Sequence, residues 1–195
     1  MIVAGLTGSI GMGKSTTAQM FRDEGIPVYD ADATVHALYE NEAVSLIEAE
    51  FPGTTNEGGV DRQLLGEQVI GKPDRLKTLE AIIHPLVREK EIKFRELQKQ
   101  AGAELIILDI PLLFETGGDI RVDKIIVVSC SPEEQRRRVL SRDEMTEEKF
   151  LAILNKQSPD AEKRAKADFV IDTGSGLNVA REQVREIIAQ IGAAQ

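Results

Sequence analysis

Tryptophan is absent, aromatic residues make up 4% of the chain, and only one cysteine, Cys130, and two histidines occur among 195 residues. A lone thiol excludes an intrachain disulfide and a cysteine-based metal cage, which suits a reducing compartment. No apolar run approaches the roughly 20 residues needed to span a bilayer. The N-terminus already reads as a strand rather than a signal sequence, so a cytoplasmic protein is expected. Positive charge is also short. With a formal net charge of -9 the average field attracts neither nucleic acid nor an anionic membrane, and neither is expected as a partner. Any bound anion must be held by a local cluster. Internal repeats and low-complexity tracts are missing too, which excludes solenoids and linkers.

What is present begins at the N-terminus. Gly8-Ser9-Ile10-Gly11-Met12-Gly13-Lys14-Ser15 matches GxxxxGK[ST] at every fixed position. It follows the continuously apolar run 2–6, and residues 15–21 after it can open a helix. Strand, glycine loop and helix form the context this motif requires. Glycines let the backbone turn tightly, so that main-chain N–H groups and the positive end of the helix dipole point at phosphate oxygens. Lys14 adds a full positive charge for the β/γ-phosphates, and the Ser15 hydroxyl is suited to ligate Mg²⁺. A nucleoside triphosphate site is the reading.

Farther along, Gly25 stops the first helix, and residues 26–30 read as a second strand with Pro27 near its start, where a missing N–H is tolerated. That strand ends in Asp30-Ala31-Asp32. In an open α/β sheet ligands lie beyond the carboxyl ends of strands, so these aspartates are expected on the rim that carries the loop. From about 41 to 100 helical periodicity dominates, broken by Pro52-Gly53 and a polar loop over 54–59. This stretch reads as a helical insertion. His84-Pro85 is expected to interrupt it, because the residue before a proline avoids the α region and Pro85 suits a first helical turn. Buried strands follow at 105–109, 124–128 and 169–172, and a terminal helix at 179–191. Alternating strands and helices imply a mainly parallel sheet covered on both faces. Residues 132–141 and 146–155 read as two charged helices, an exposed hairpin able to close over a ligand.

Asp109 ends an apolar strand, where a carboxylate helps Ser15 to hold Mg²⁺; its alternative is a turn or helix cap. Asp32 is assigned a different task. A carboxylate near the γ-phosphate is repelled by it, and is useful only if it orients or deprotonates an acceptor hydroxyl. The acceptor is therefore read as an alcohol. Asp30 competes for that role, or caps the next helix. Arg138 and Arg142, spaced i, i+4, share a helical face and are read as donors to the spread charge of the transferring phosphoryl group; Arg136 and Arg137 fit a solvated face paired with nearby acids. His36 is given no role. Cys130 reads as a small buried residue rather than a nucleophile.

Taken together, the glycine loop, Asp30-Ala31-Asp32, His84-Pro85, the run Asp109-Ile110-Pro111-Leu112-Leu113-Phe114-Glu115, Arg138 with Arg142-Asp143, Gln157, and Ala167-Asp168-Phe169-Val170-Ile171-Asp172 resemble, in order, the dephospho-coenzyme A kinases. The likeness runs nearly end to end. It implies a three-layer P-loop NTPase fold with a helical substrate-binding insertion at about 41–100 and a helical lid at about 132–157, within one kinase domain over 1–195. It implies ATP and Mg²⁺ as cofactors, with transfer of the γ-phosphoryl group to the ribose 3′-hydroxyl of dephospho-CoA. By this resemblance Asp32 activates the acceptor, Gly8, Gly11, Met12, Gly13, Lys14, Ser15 and Thr16 hold the nucleotide, Arg138 and Arg142 come from the lid, and Arg62 and His84 contact the acceptor. The family usually has asparagine after the last strand's aspartate. Here Thr173 and Gly174 follow it, in a loop expected to border the adenine. A monomer is favoured.

Two rival readings use the same loop. One is a nucleoside monophosphate or other small-metabolite kinase. The other is a GTP switch, opposed by Ser158 where Asn155-Lys156-Gln157 would need an aspartate to read guanine, and by the lack of a DxxG glycine after Asp109.

Overall fold

Strand β1 (Ile2–Thr7), with five of its six residues buried, is the centre of the sheet and leads through the glycine loop into helix α1 (Lys14–Asp23). The computed structural model describes residues 1–193. Next come β2 (Val28–Asp30), α2 (Ala31–Glu40), α3 (Val44–Glu50), the short strands β3 (Thr55–Asn56) and β4 (Gly59–Val60), α4 (Arg62–Val69) and the long α5 (Pro73–Gln100). After these run β5 (Leu105–Asp109), a 3₁₀ turn (Gly118–Arg121), β6 (Lys124–Ser129), α6 (Pro132–Leu140), α7 (Glu147–Leu154), α8 (Asp160–Ala165), β7 (Phe169–Asp172) and α9 (Leu177–Ala193). None of the described helices is long and apolar enough to cross a membrane.

The chain divides into two compact units, one made of Met1–Tyr29 with the chain from Gln98 onward, the other of Asp30–Leu97. The first holds the five-stranded sheet, ordered β2-β5-β1-β6-β7. Strand β1 pairs parallel with β5 and β6, and β6 with β7, in a register that sets Leu6 beside Asp109, Thr7 beside Val127 and Ser129 beside Asp172. Those pairs bring the carboxyl ends of four strands to one rim. All five residues of β5 are buried, as expected for a strand covered on both faces. Leu6, Phe21, Ile107, Ile126, Ile171 and Val184 form the centre of this unit's core.

The second unit has a separate core of Leu38, Ile47, Phe51, Leu65, Leu79 and Ile83, with the Arg75 guanidinium 4.2 Å from the centre of the Phe51 ring. It begins at Asp30 rather than near 41, so Asp30-Ala31-Asp32 belongs to it. Two local expectations need correction. The stretch read as a loop over 54–59 instead enters an antiparallel hairpin over 55–60, pairing Thr55 with Val60 and Asn56 with Gly59. Gly59 is required there: its φ is 114° and a Cβ would lie 2.4 Å from the Tyr39 carbonyl oxygen. Pro85, secondly, does not start a new helix but lies inside α5. Proline removes one N–H donor and crowds the preceding turn, at a cost of about 3 kcal/mol. Leu79 and Ile83 before it, and Leu86 and Val87 after it, pack into the same core and hold the helix through the defect.

Candidate active site

The glycine loop is closed by neighbours as much as by its own turns. A Cβ on Gly8 would lie 2.4 Å from Val128 Cγ2 and 2.8 Å from the Val128 carbonyl oxygen, so only glycine fits against β6. Gly11, with φ of 78°, would put a Cβ 2.5 Å from Val139 Cγ2 of α6; Gly13, with φ of 91°, caps α1 in the left-handed region. The two main-chain groups of Ile10 are both taken. Its N–H donates to Gln157 Oε1 at 3.0 Å, and its carbonyl accepts from Gln135 Nε2 at 2.8 Å. Gln135 lies near the start and Gln157 just past the end of the α6–α7 hairpin, so both roots of that hairpin meet at one loop residue. The Met12 side chain is buried, and its sulfur accepts from the Cys130 N–H at 3.2 Å. Burial pushes the Cys130 thiol up, in keeping with a packing role.

Lys14 opens α1, with Ser15 and Thr16 exposed beside it in the first turn, where N–H groups are left unpaired by the helix. Its ammonium is 2.5 Å from Asp109 Oδ1 at the end of β5, and Asp109 is 3% exposed. The carboxylate expected to face a metal thus also holds the loop lysine. Among the described residues no group of three or more His, Cys, Asp or Glu side chains is gathered as a metal cage. Mg²⁺ does not need one, because it is bound through one or two protein oxygens plus phosphates and water. The Ser15 hydroxyl and the Asp109 carboxylate are oxygen donors of that kind.

The arginines of α6 divide. Arg137 pairs with Glu134 and Arg136 with Glu147, each at 2.6 Å, on the solvent side as expected. Hydrogen bonds from Arg137 and then Arg138 hold the Glu134 carboxyl down to about 2, against an ordinary 4.5. Arg138 is fixed by Nε to Glu134 at 2.7 Å, by Nη1 to Thr173 Oγ1 at 2.9 Å and by Nη2 to the Thr173 carbonyl at 2.7 Å. The guanidinium of Arg142 has no partner among the described residues. Both arginines line a cavity of about 300 Å³ with Gly11, Thr16, Met20 and Leu177. Gly174 is set by its neighbour, its N–H donating to Asp172 Oδ1 at 2.7 Å.

In the helical unit Asp30 Oδ1 accepts from the Ala33 N–H at 2.9 Å and so caps α2. Asp32, the second residue of α2 and within its first turn, is exposed and has no side-chain partner among the described residues. Arg62 Nη1 lies 3.4 Å and 3.3 Å from the two ring nitrogens of His36, a histidine that the sequence had left without a role. His84 is exposed in mid-α5 and caps nothing. The sequence also missed Lys163. Fully buried, it sets its ammonium 2.9 Å from Glu115 Oε1, which accepts the Ser158 N–H at 2.8 Å. Burial would raise the Glu115 carboxyl, but Lys163 and the Ser158 N–H outweigh it and hold the group below its usual range. Only the acidic end of the run from Asp109 to Glu115 hinted at this anchor.

Comparison with known proteins decides the family. A family profile described as dephospho-CoA kinase matches residues 1–189. The chain belongs to the dephospho-CoA kinase family. It is 58% identical over 188 residues to a dephospho-CoA kinase of Rhodopseudomonas palustris, covering 96% of this chain and 94% of the relative. It is likewise 58% identical to that of Agrobacterium fabrum, covering 99% and 100%. The crystallised dephospho-CoA kinase of Campylobacter jejuni superimposes with a TM-score of 0.74 at 28% identity, over 98% of each chain. The fold is that of the P-loop kinases, as this family requires.

Proposed function

We propose that this chain transfers the γ-phosphoryl group of ATP to the ribose 3′-hydroxyl of dephospho-CoA, giving coenzyme A and ADP. The choice of acceptor is carried by the near end-to-end likeness to dephospho-CoA kinases, 58% identical over 96% of the chain. The division of labour follows from the side chains. Main-chain N–H groups of Gly11, Gly13, Lys14, Ser15 and Thr16 receive the phosphates, the Met12 N–H closes the loop's own turn by donating to the Ser9 carbonyl at 3.1 Å, Gly8 lets the loop lie flat on β6, and the Lys14 ammonium moves from Asp109 to phosphate oxygens. Ser15 and Asp109 are the residues that hold Mg²⁺, which when bound neutralises charge on the phosphate oxygens. Thr173 borders the cavity that receives the nucleoside, and Gly174, next in the chain, lies outside its lining.

Asp30 is occupied as a helix cap and Asp32 is not, which favours Asp32 as the group that accepts the proton of the acceptor hydroxyl. As the acceptor oxygen bonds to the γ-phosphorus, the bond from that phosphorus to the β–γ bridging oxygen breaks and ADP departs. Arg142, whose guanidinium has no partner among the described residues, is suited to meet the charge spread over the moving phosphoryl group, beside a fixed Arg138. Arg62 and His84 supply positive or hydrogen-bonding contacts to the acceptor. The α6–α7 hairpin, anchored to Ile10 at both roots, is the lid, and its closure excludes water.

The test is an assay of coupled ATP consumption with dephospho-CoA, nucleoside monophosphates and shikimate offered separately. Turnover is expected with dephospho-CoA alone. Turnover with a monophosphate and none with dephospho-CoA would overturn the assignment.

A further inference from the structure

Thr173 follows β7, is 9% exposed, and has a hydroxyl that the protein itself uses up. Thr173 Oγ1 is 2.7 Å from the Met12 carbonyl oxygen and 3.3 Å from the Ser129 carbonyl oxygen, and it accepts from Arg138 Nη1 at 2.9 Å. A hydroxyl has one hydrogen to donate. The shorter contact gives it to Met12, inside the glycine loop, while the oxygen faces the guanidinium. The Thr173 carbonyl takes the second terminal nitrogen of the same arginine at 2.7 Å. One residue therefore grips Arg138 with two parallel bonds and the phosphate loop with a third. Its Cβ and methyl group also lie 3.3 Å from where a Cβ on Gly13 would stand, so Thr173 packs close against the loop. Little of this hydroxyl is left for a nucleotide. Arg142, one turn along the same lid segment, shows what an arginine there looks like without such a grip.

Resting on the ATP-site reading above, we propose that Thr173 is a positioning residue for nucleotide binding: its hydroxyl locks Arg138 to the Met12 carbonyl, so that the guanidinium is a fixed wall of the nucleoside cavity. It does not read the base. Valine, close in shape, keeps the methyl contact but leaves the Met12 carbonyl and one arginine N–H unanswered in a buried place. Serine keeps the hydroxyl. The grip is hence a property of the oxygen rather than of the volume.

The experiment is calorimetric titration of ADP, with Mg²⁺ and without acceptor, into the full chain and its variants, each checked by thermal melting. Losing a hydrogen bond to a charged group should weaken ADP binding about tenfold in Thr173→Val, while Thr173→Ser should stay within about twofold of the parent. In an Arg138→Ala background the valine substitution should add less than about twofold, since the two residues act as one unit. ADP and GDP should weaken by the same factor. Parental affinity in a folded Thr173→Val, serine as weak as valine, independent losses that multiply with Arg138→Ala, or a changed preference between ADP and GDP would each overturn the proposal. If Thr173→Val does not fold, the serine variant alone still decides, because weak binding there contradicts it. A parent that binds ADP but does not phosphorylate dephospho-CoA removes only the acceptor reading; a parent that binds no ADP removes both.

Discussion

Around the glycine loop the protein answers its own polar groups: Ile10 is held by Gln135 and Gln157, the Met12 carbonyl by Thr173, and Lys14 by Asp109. In the helical unit Asp32 and His84 are exposed and without side-chain partners among the described residues, and Arg62 lies against the ring of His36, its charge also acting on Tyr39. The difference follows from what each side has to do. A polyphosphate is recognised by many weak N–H contacts that count only if they converge, so the loop must be stiff before the ligand arrives. An acceptor hydroxyl is activated by one carboxylate, which serves best when no protein donor competes for it.

Breaking the open side should cost the most activity. On the proposed reading Asp32→Asn keeps the cradle and loses the proton acceptor, so kcat with dephospho-CoA should fall about 100- to 10,000-fold while the KM for ATP stays near that of the parent, as steady-state kinetics would show. An unchanged kcat would detach Asp32 from the reaction. Breaking the stiff side should act on binding and stability together. In Gly8→Ala the new methyl meets the Val128 carbonyl at 2.8 Å, a backbone atom that cannot rotate away. Overpacking of this kind costs about 1–3 kcal/mol, to be read by denaturant unfolding, and ATP affinity should drop with it. A fully stable Gly8→Ala that binds ATP normally would contradict the account of a preset cradle.

The smallest effect sharpens the comparison rather than breaking it. Glu134 holds Arg138 from the solvent side, and its carboxyl lies at about 2 instead of 4.5 because of Arg137 first and Arg138 after it. A depressed carboxyl contributes stability that is complete above the unfolded value and is lost as pH falls through the folded one. The melting temperature of the parent should therefore exceed that of Glu134→Gln slightly near neutrality, and the gap should close as pH falls from about 4.5 towards about 2. A gap that persisted at the acid end would mean that the charge on Glu134 is not what steadies the arginines.

The glycine loop, the buried strands and the charged hairpin are legible in the chain because each rests on local pattern: continuous apolar runs for strands covered on both faces, the 3.6-residue period for helices and the fixed positions of a phosphate loop. Pro85 was misread for the opposite reason: the local rule is sound, but Leu79, Ile83, Leu86 and Val87 overrule it through contacts that no window of sequence contains. The choice between Asp30 and Asp32 needed the hydrogen bond to Ala33, which depends on where α2 starts. The sequence reading expects Thr173 to border the adenine, whereas its use by Met12 and Arg138 joins residues more than 30 positions apart, beyond any local pattern. Lys163 looked like an ordinary charge on a helix. Only its complete burial against Glu115 marks it as an anchor.

With Lys14 resting on Asp109, the cradle carries a cation and an anion that neutralise each other, so the loop does not present a bare ammonium. On the proposed reading a bound magnesium nucleotide would be met by the same pair, with the Lys14 ammonium facing phosphate and the Asp109 carboxylate, beside the Ser15 hydroxyl, facing the metal.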